Sequence, residues 1–381
     1  MSSSPNSNKS STSSQTSRQD QILASVIDGK RLSTDDALYL LKEGEWTRIV
    51  EAANTVRNQK HDPSVVSYTA FRVINYTNIC DVDCSFCSFK DEVDSNRAYT
   101  LTLEQIREKA LEAKRHGADQ IFFQGGVHRA LPIDYYTDAF QMLQHELGMH
   151  VRALSPVELQ RISEEKEIPL PELIRIFKEA GMGSVPGAGA EILTENMRQK
   201  LSPKKLSAKE WCDVMGECHK QGLPGSANIV FGSDEEPEDV IQHLEFIRDQ
   251  QDKTGGFTTF VPWTFQPQTK KFYVRKVKHT EYLTILALSR LFFDNIDNIE
   301  TSVLVLGKDI GEMALFAGAN DINSIVIEEN VLRSSGLTTL RAAEKFVLEA
   351  GFTPKRRSLN FDFAPYADNE PLFVPKARLK V

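Results

Sequence analysis

Between residues 70 and 349 short apolar stretches alternate with longer amphipathic ones, and this alternation narrows the possible folds more than any other feature. The apolar stretches at 70–75, 120–123, 150–154, 183–185, 226–231, 257–262, 299–303 and 324–327 read as strands. Helical periodicity follows at 103–116, 135–147, 170–180, 208–221, 238–251, 282–295, 311–316 and 340–349. Eight strands, each followed by a helix, is the count of an α/β fold of the (β/α)8, TIM-like barrel type. The last two strands carry the weakest pattern, so a partial barrel of six strands is the alternative.

Residues 22–58 are helical in pattern, with Leu38, Leu40 and Leu41 in one segment and Trp46, Ile49, Val50 and Ala53 in the next. Ser33 or Thr34 suits the cap of the first, followed by Asp35 and Asp36 at its positive end. The expected organisation is a disordered tail over 1–19, an N-terminal helical extension over 20–62, the barrel over 63–350 and a C-terminal irregular extension over 351–381. The tail is rich in Ser, Thr and Asn, lacks an apolar core for secretion and lacks the Arg-rich pattern of a transit peptide. The chain is therefore expected to be cytoplasmic. Its 381 residues are 40% hydrophobic and 26% charged, ordinary for a soluble domain. A net charge of -8 argues against a nucleic-acid or anionic-membrane surface. No apolar run approaches the roughly 20 residues that span a bilayer.

In such a barrel the chemistry belongs on the loops after the strands. Those loops hold Tyr76-Thr77 and the cysteines, Gln124-Gly125-Gly126-Val127-His128, Ser155-Pro156, Pro186-Gly187-Ala188-Gly189-Ala190-Glu191, Trp263-Thr264-Phe265-Gln266 and Glu328-Glu329-Asn330. They combine small residues, which admit a ligand to the backbone, with polar groups that can read it. The first contains Cys80-Asp81-Val82-Asp83-Cys84-Ser85-Phe86-Cys87, three of the five cysteines within eight residues. That is no disulfide framework. Three thiolates can ligate three irons of a [4Fe-4S] cube and leave the fourth open to the amino and carboxylate groups of S-adenosylmethionine. The competing reading, structural zinc, lacks its second ligand pair. Cys212 and Cys218, six apart on a predicted helix, do not share a face and read as buried small hydrophobes.

With its setting, the motif resembles the radical S-adenosylmethionine superfamily. Asn75-Tyr76-Thr77-Asn78-Ile79-Cys80 is similar to the branch holding the futalosine-pathway enzymes of menaquinone synthesis and the deazaflavin (FO) synthase subunits. Gln124-Gly125-Gly126-Val127-His128, Pro186–Leu193, Thr254-Gly255-Gly256-Phe257, Gly318-Ala319-Asn320-Asp321 and Glu328-Glu329-Asn330 match as well, so the likeness runs over residues 27–357. Pro262-Trp263-Thr264-Phe265-Gln266-Pro267 is most similar to the synthases of cyclic dehypoxanthinyl futalosine.

The resemblance implies a [4Fe-4S] cluster on Cys80, Cys84 and Cys87, with S-adenosylmethionine held by Phe86, Gly125, Gly126, Glu191 and Arg198. It further implies a nucleoside-like small-molecule substrate and a low-potential electron donor such as flavodoxin or ferredoxin. Gln124, Ser155, Trp263 and Glu328 are the candidate substrate-binding residues, and His128 and Glu300 the candidate catalytic ones, for a final proton. Each has a plainer reading: core packing for Phe86 and Trp263, a turn for the glycines, a salt bridge for Arg198, a structural role for His128 and a cap for Glu328. Departures from the branch pattern fall on the substrate side: Arg129 for Pro, Arg152 for His, Ser233 for His, Glu300 for Gln and Val303 for Trp. They leave the substrate open between the cyclase reaction, an aminofutalosine synthase or FO-synthase-like reaction, and a paralogue with a related nucleoside. A non-catalytic metal-binding protein is the remaining alternative.

Overall fold

The computed structural model describes residues 17–266, 272, 274–326 and 339–366. Ser17 caps the first helix, Arg18–Ile27, so the end of the stretch read as a tail is ordered, while residues 1–16 lie outside the described residues. The helices Thr34–Glu43 and Trp46–Lys60 follow. The Ser33 hydroxyl accepts the Asp36 N–H at 3.1 Å, with Asp35 and Asp36 in the first turn. This extension packs on His279–Phe292, whose residues from Tyr282 to Phe292 are nearly all buried. Arg31 secures it through Asp252 at 2.6 Å and Asp294 at 2.8 Å.

Eight parallel strands form the barrel: β1 (Val65–Asn75), β2 (Gln120–Gln124), β3 (His150–Ala153), β4 (Met182–Ser184), β5 (Gly225–Phe231), β6 (Phe257–Thr264), β7 (Asn298–Ile299) and β8 (Asp321–Val326). They run in two continuous sheets, β4-β3-β2-β1-β8 and β5-β6-β7. Single parallel bridges join the sheets at both seams, Val185 to Gly225 and Glu300 to Asp321. The ring is thus complete but thin at two places.

Alternation along β1 separates inside from outside. Ala70 and Ile74 join the main core beneath the outer helices, and Arg72 reaches out to the Lys109 carbonyl at 2.8 Å and Glu112 at 2.6 Å. Phe71 and Val73 point the other way and form a separate inner cluster with Phe122 and Leu359. Leu359 comes from the C-terminal stretch read as mostly irregular, in which β9 (Thr353–Arg356) pairs with the first residues of β1. That stretch therefore lies at the N-terminal mouth of the barrel.

The strand expected at 299–303 is much shorter. After β7 the chain turns at Ser302, whose carbonyl accepts from Val305 and Leu306 at 3.2 and 3.1 Å, and Val303–Leu306 is a short helix. Local turn bonds override the β preference of the Val-rich run there. Among the described residues no helix is long and apolar enough to cross a membrane.

At the β7–β8 seam, Arg357 binds Asp321 through Nη2 at 2.9 Å and Nε at 2.5 Å, and stands 3.3 Å from Glu300. All three are buried. Removing one member of such a cluster strands a buried charge, whereas replacing a pair with apolar groups is tolerated. Arg357→Met is therefore expected to lower unfolding free energy by about 3–5 kcal/mol. In urea titrations, the double variant Arg357→Met/Asp321→Leu should recover a good part of that loss.

Candidate functional site

At the C-terminal end of β1 the chain enters the cysteine loop, which backbone bonds hold on both sides. The Cys80 N–H donates to the Asp91 carbonyl at 3.3 Å, and the Asp81 N–H to the Val127 carbonyl at 3.2 Å. On the far side the Ser85 N–H and hydroxyl both reach the Leu201 carbonyl, at 2.9 and 3.1 Å. Cys80, Cys84 and Cys87 are all free thiols, the first two half-buried and the third exposed. Burial pushes the Cys80 and Cys84 thiols up. Among the described residues, no three His, Cys, Asp or Glu side chains converge to hold one metal ion. A cube places its three protein thiolates on separate irons and needs no such convergence.

Gly126 lies directly against this loop. A Cβ there would stand 2.1 Å from the Ile79 carbonyl oxygen and 2.9 Å from Cβ of Cys80, so no side chain fits without moving the cysteines. The glycine turn is anchored from below: Gly126 N–H donates to the Thr77 carbonyl at 2.8 Å and Gly125 N–H to Glu158 at 3.1 Å. With both N–H groups engaged and the Gly126 carbonyl accepting from the Tyr76 hydroxyl at 3.4 Å, the Gly125 carbonyl is the freer of the two to meet an ammonium.

Glu158, which the sequence reading passed over, is the hub of this region. Buried at 3% exposure, it accepts from the Tyr76 hydroxyl at 2.9 Å and from the Ser155 N–H and hydroxyl, each at 2.7 Å. Burial raises its carboxyl, although these hydrogen bonds pull the other way. Its signal was the capping box Ser155-x-x-Glu158 that opens the helix Pro156–Glu165. Ser155, expected to bind substrate, is engaged in that cap and does not line the central cavity.

Across from the cysteines, Glu191 sits at φ 40°, a left-handed conformation that a residue other than Gly adopts only when its surroundings impose it. The Val230 N–H donates to its carbonyl at 3.0 Å. One carboxylate oxygen binds Lys205 at 2.8 Å; the other, buried, stands 3.9 Å from Arg198 Nη1 as an ion pair and has no hydrogen-bond partner among the described residues. Arg198 donates to the Gly189 and Ala190 carbonyls at 3.0 and 2.8 Å, while its Nε and Nη2, also buried, have none. These orphaned atoms fit a cofactor bearing both ribose hydroxyls and a carboxylate. Lys205, unmarked by any sequence motif, is buried between Glu191 and Cys84. Burial pulls its ammonium down, but those neighbours more than offset it and the net shift is upward. Lys205 also stands 5.2 Å over the Phe86 ring, which packs edge-on against Phe265 at 5.2 Å.

A cavity of about 1130 Å³, counting its open mouth, occupies the barrel at this end. Gln124, Glu191, Trp263 and Glu300 line it, together with Arg152 and Val303. His128 does not: its Nδ1 accepts the Ala130 N–H at 3.2 Å. Arg129 pairs with Asp81 at 2.6 Å, and Ser233 binds Glu235 in a turn, 2.8 Å from both its N–H and its hydroxyl. Glu328, with Glu329 and Asn330, lies outside the described residues. Burial raises the Glu300 carboxyl against the pull of Arg357 and Arg152, which suits a group that exchanges protons.

Since Gly126 and the cysteine loop touch, Gly126→Ala should weaken iron retention by about 10–100-fold, as lost support around a metal site does. The chelator concentration that strips iron after anaerobic reconstitution measures this.

Comparison with known proteins agrees with this geometry. Residues 74–247 match the radical SAM superfamily and residues 254–370 the CofH/MqnC C-terminal region. The cyclic dehypoxanthine futalosine synthase of Halalkalibacterium halodurans is 36% identical over 348 residues, 90% of this chain and 94% of the relative. The 5-amino-6-(D-ribitylamino)uracil–L-tyrosine 4-hydroxyphenyl transferase of Methanococcus aeolicus is 34% identical over 344 residues, 86% of this chain and 95% of the relative. Methylornithine synthase (PylB) shares the fold at a TM-score of 0.68 and 22% identity, covering 87% of this chain and 97% of that one. The chain belongs to the radical S-adenosylmethionine enzymes, with a [4Fe-4S] cluster and S-adenosylmethionine as cofactors, in the branch that holds both the cyclic dehypoxanthine futalosine synthases and the 4-hydroxyphenyl transferases.

Proposed function

We propose that this enzyme cyclises dehypoxanthine futalosine to cyclic dehypoxanthinyl futalosine, a step of menaquinone synthesis by the futalosine pathway. One observation carries the reading: a single cavity runs from Gln124 and Glu191, beside the cysteine loop, to Trp263 and Glu300. A radical made at one end would thus share one cavity with a substrate held at the other.

Cys80, Cys84 and Cys87 would hold the cluster. Arg198, Glu191 and the Gly125–Gly126 carbonyls would hold S-adenosylmethionine, with Phe86 packed under Lys205. Together these cofactors supply a 5′-deoxyadenosyl radical, given an electron from a flavodoxin- or ferredoxin-like donor. Trp263 and Phe122 offer flat apolar walls to an aromatic ring, and the cavity walls restrict its approach to the ribose. The ribose would give up a hydrogen atom to the 5′-deoxyadenosyl radical, which leaves as 5′-deoxyadenosine. The ribose carbon would then bond to the ring, and the spirocycle would be completed by loss of one proton to a base and of one electron, returned to the oxidised cluster. Glu300, already in the cavity wall, is the better acceptor for that proton than His128.

The 34% identity to the archaeal 4-hydroxyphenyl transferases supports a second reading, transfer of a tyrosine-derived group. The two separate in one assay. Anaerobically reconstituted enzyme with dithionite, S-adenosylmethionine and dehypoxanthine futalosine should yield a product lighter by two hydrogens, with one 5′-deoxyadenosine per turnover. Unchanged dehypoxanthine futalosine, with consumption of tyrosine and 5-amino-6-(D-ribitylamino)uracil instead, would sink the cyclase assignment. Cys84→Ala should abolish 5′-deoxyadenosine formation in either case. Arg198→Ala should raise the S-adenosylmethionine KM by about 10-fold or more, the scale of a lost charge-assisted contact.

A further inference from the structure

Among the described residues, the carboxylates that line or floor the cavity have cations: Asp321 and Glu300 have Arg357, and Glu191 has Lys205. The converse does not hold. Arg152 lines the cavity, yet among the described residues no carboxylate stands within ion-pairing distance of it. Among the described residues its one side-chain hydrogen bond runs from Nη2 to the Ser226 hydroxyl, which also accepts the Gly187 N–H at 3.1 Å. Ser226 thus fixes one edge of the guanidinium, and Phe122, 5.2 Å away, lies beneath its plane. Nε and Nη1 are left without a protein acceptor among the described residues.

The surrounding wall is largely apolar, with Phe71, Val73, Val230, Val261 and Val303 contributing to it. Burial pulls the Arg152 guanidinium down to about 10, still a cation near neutrality. A lone cation in such a wall is unfavourable until an anion completes it, and a guanidinium fork matches a carboxylate edge. With one unpaired cation available and Glu300 also in the wall, the site suits a monoanion rather than a phosphate dianion.

We propose that Arg152 is a specificity-determining residue, which pairs with a carboxylate carried on an aromatic or otherwise apolar part of the substrate. This rests on reading the cavity as the substrate site, not on which substrate fills it. Glu300, a negative charge in the same wall, tunes the strength of that pairing.

Benzoate and its neutral isostere benzamide, titrated into the reconstituted enzyme by ligand-observed NMR, test the proposal. Wild type should bind benzoate about 10-fold or more tightly than benzamide, the scale of a hydrogen bond to a charged group. Arg152→Gln should erase that preference, and Arg152→Lys should keep only part of it. Glu300→Gln should raise the benzoate-to-benzamide ratio several-fold by removing the opposing charge. Equal binding of the two probes by wild type, or a preference that survives in Arg152→Gln, would overturn the assignment. Should Arg152→Gln fail to fold, Glu300→Gln decides, because an unchanged or lower ratio is incompatible with an anion bound beside it. Neither probe is a futalosine. An enzyme inactive on futalosine but selective for benzoate keeps this proposal, and an active cyclase that binds both probes alike loses it alone.

Discussion

The guanidinium of Arg357 lies against the carboxylate of Asp321 at one of the two seams where a single bridge closes the strand ring. Asp321 opens β8, accepts from Ser67 of β1, and bridges through its backbone to Glu300 at the end of β7. One ion pair therefore ties three strands to the C-terminal segment. Because Arg357 also faces Glu300, the same contact that seals the barrel floor fixes a charged group in the cavity wall. Buried ion pairs seldom add much net stability, but breaking one is costly. Its clearest consequence here is geometric.

A second buried carboxylate organises the opposite end. Glu158 gathers Tyr76 from the end of β1, Gly125 from the end of β2 and Ser155 from the end of β3, so three strand ends share one acceptor. Gly126 then rests on the cysteine loop with no room for a side chain. The cluster cradle is precise because the turn beneath it is held, even though Cys87 itself is exposed. Between these ends, Glu191 and Arg198 keep buried polar atoms unsatisfied within the protein, as expected of groups whose partner is a cofactor.

Much of this was legible in the chain because the relevant signals are local. The cysteine spacing, the glycine pair after a strand and the β/α alternation each occupy a few adjacent residues, and each has one physical meaning. Ser155 was expected to bind substrate from its loop position, while its own four-residue capping box, Ser155 to Glu158, spoke for the helix start that the structure shows. Val303 was read as strand from its β-branched neighbours, but the turn at Ser302 came first. Lys205 and Arg357 carried no motif, since their partners Glu191 and Asp321 are distant in sequence.

Arg152 and Glu300 mark the boundary between the two kinds of information. As sequence they were two unrelated departures from a family pattern, 148 positions apart by subtraction of their numbers. In the folded chain they line one cavity, one paired through Arg357 and the other left unpaired. By itself the sequence determined the barrel class, the enzyme superfamily and its cofactors, because periodicity and a short cysteine spacing encode them within single segments. Only the tertiary structure decided which charges share the cavity and which one lacks a partner, because burial and pairing depend on residues that meet only when the ring of strands closes.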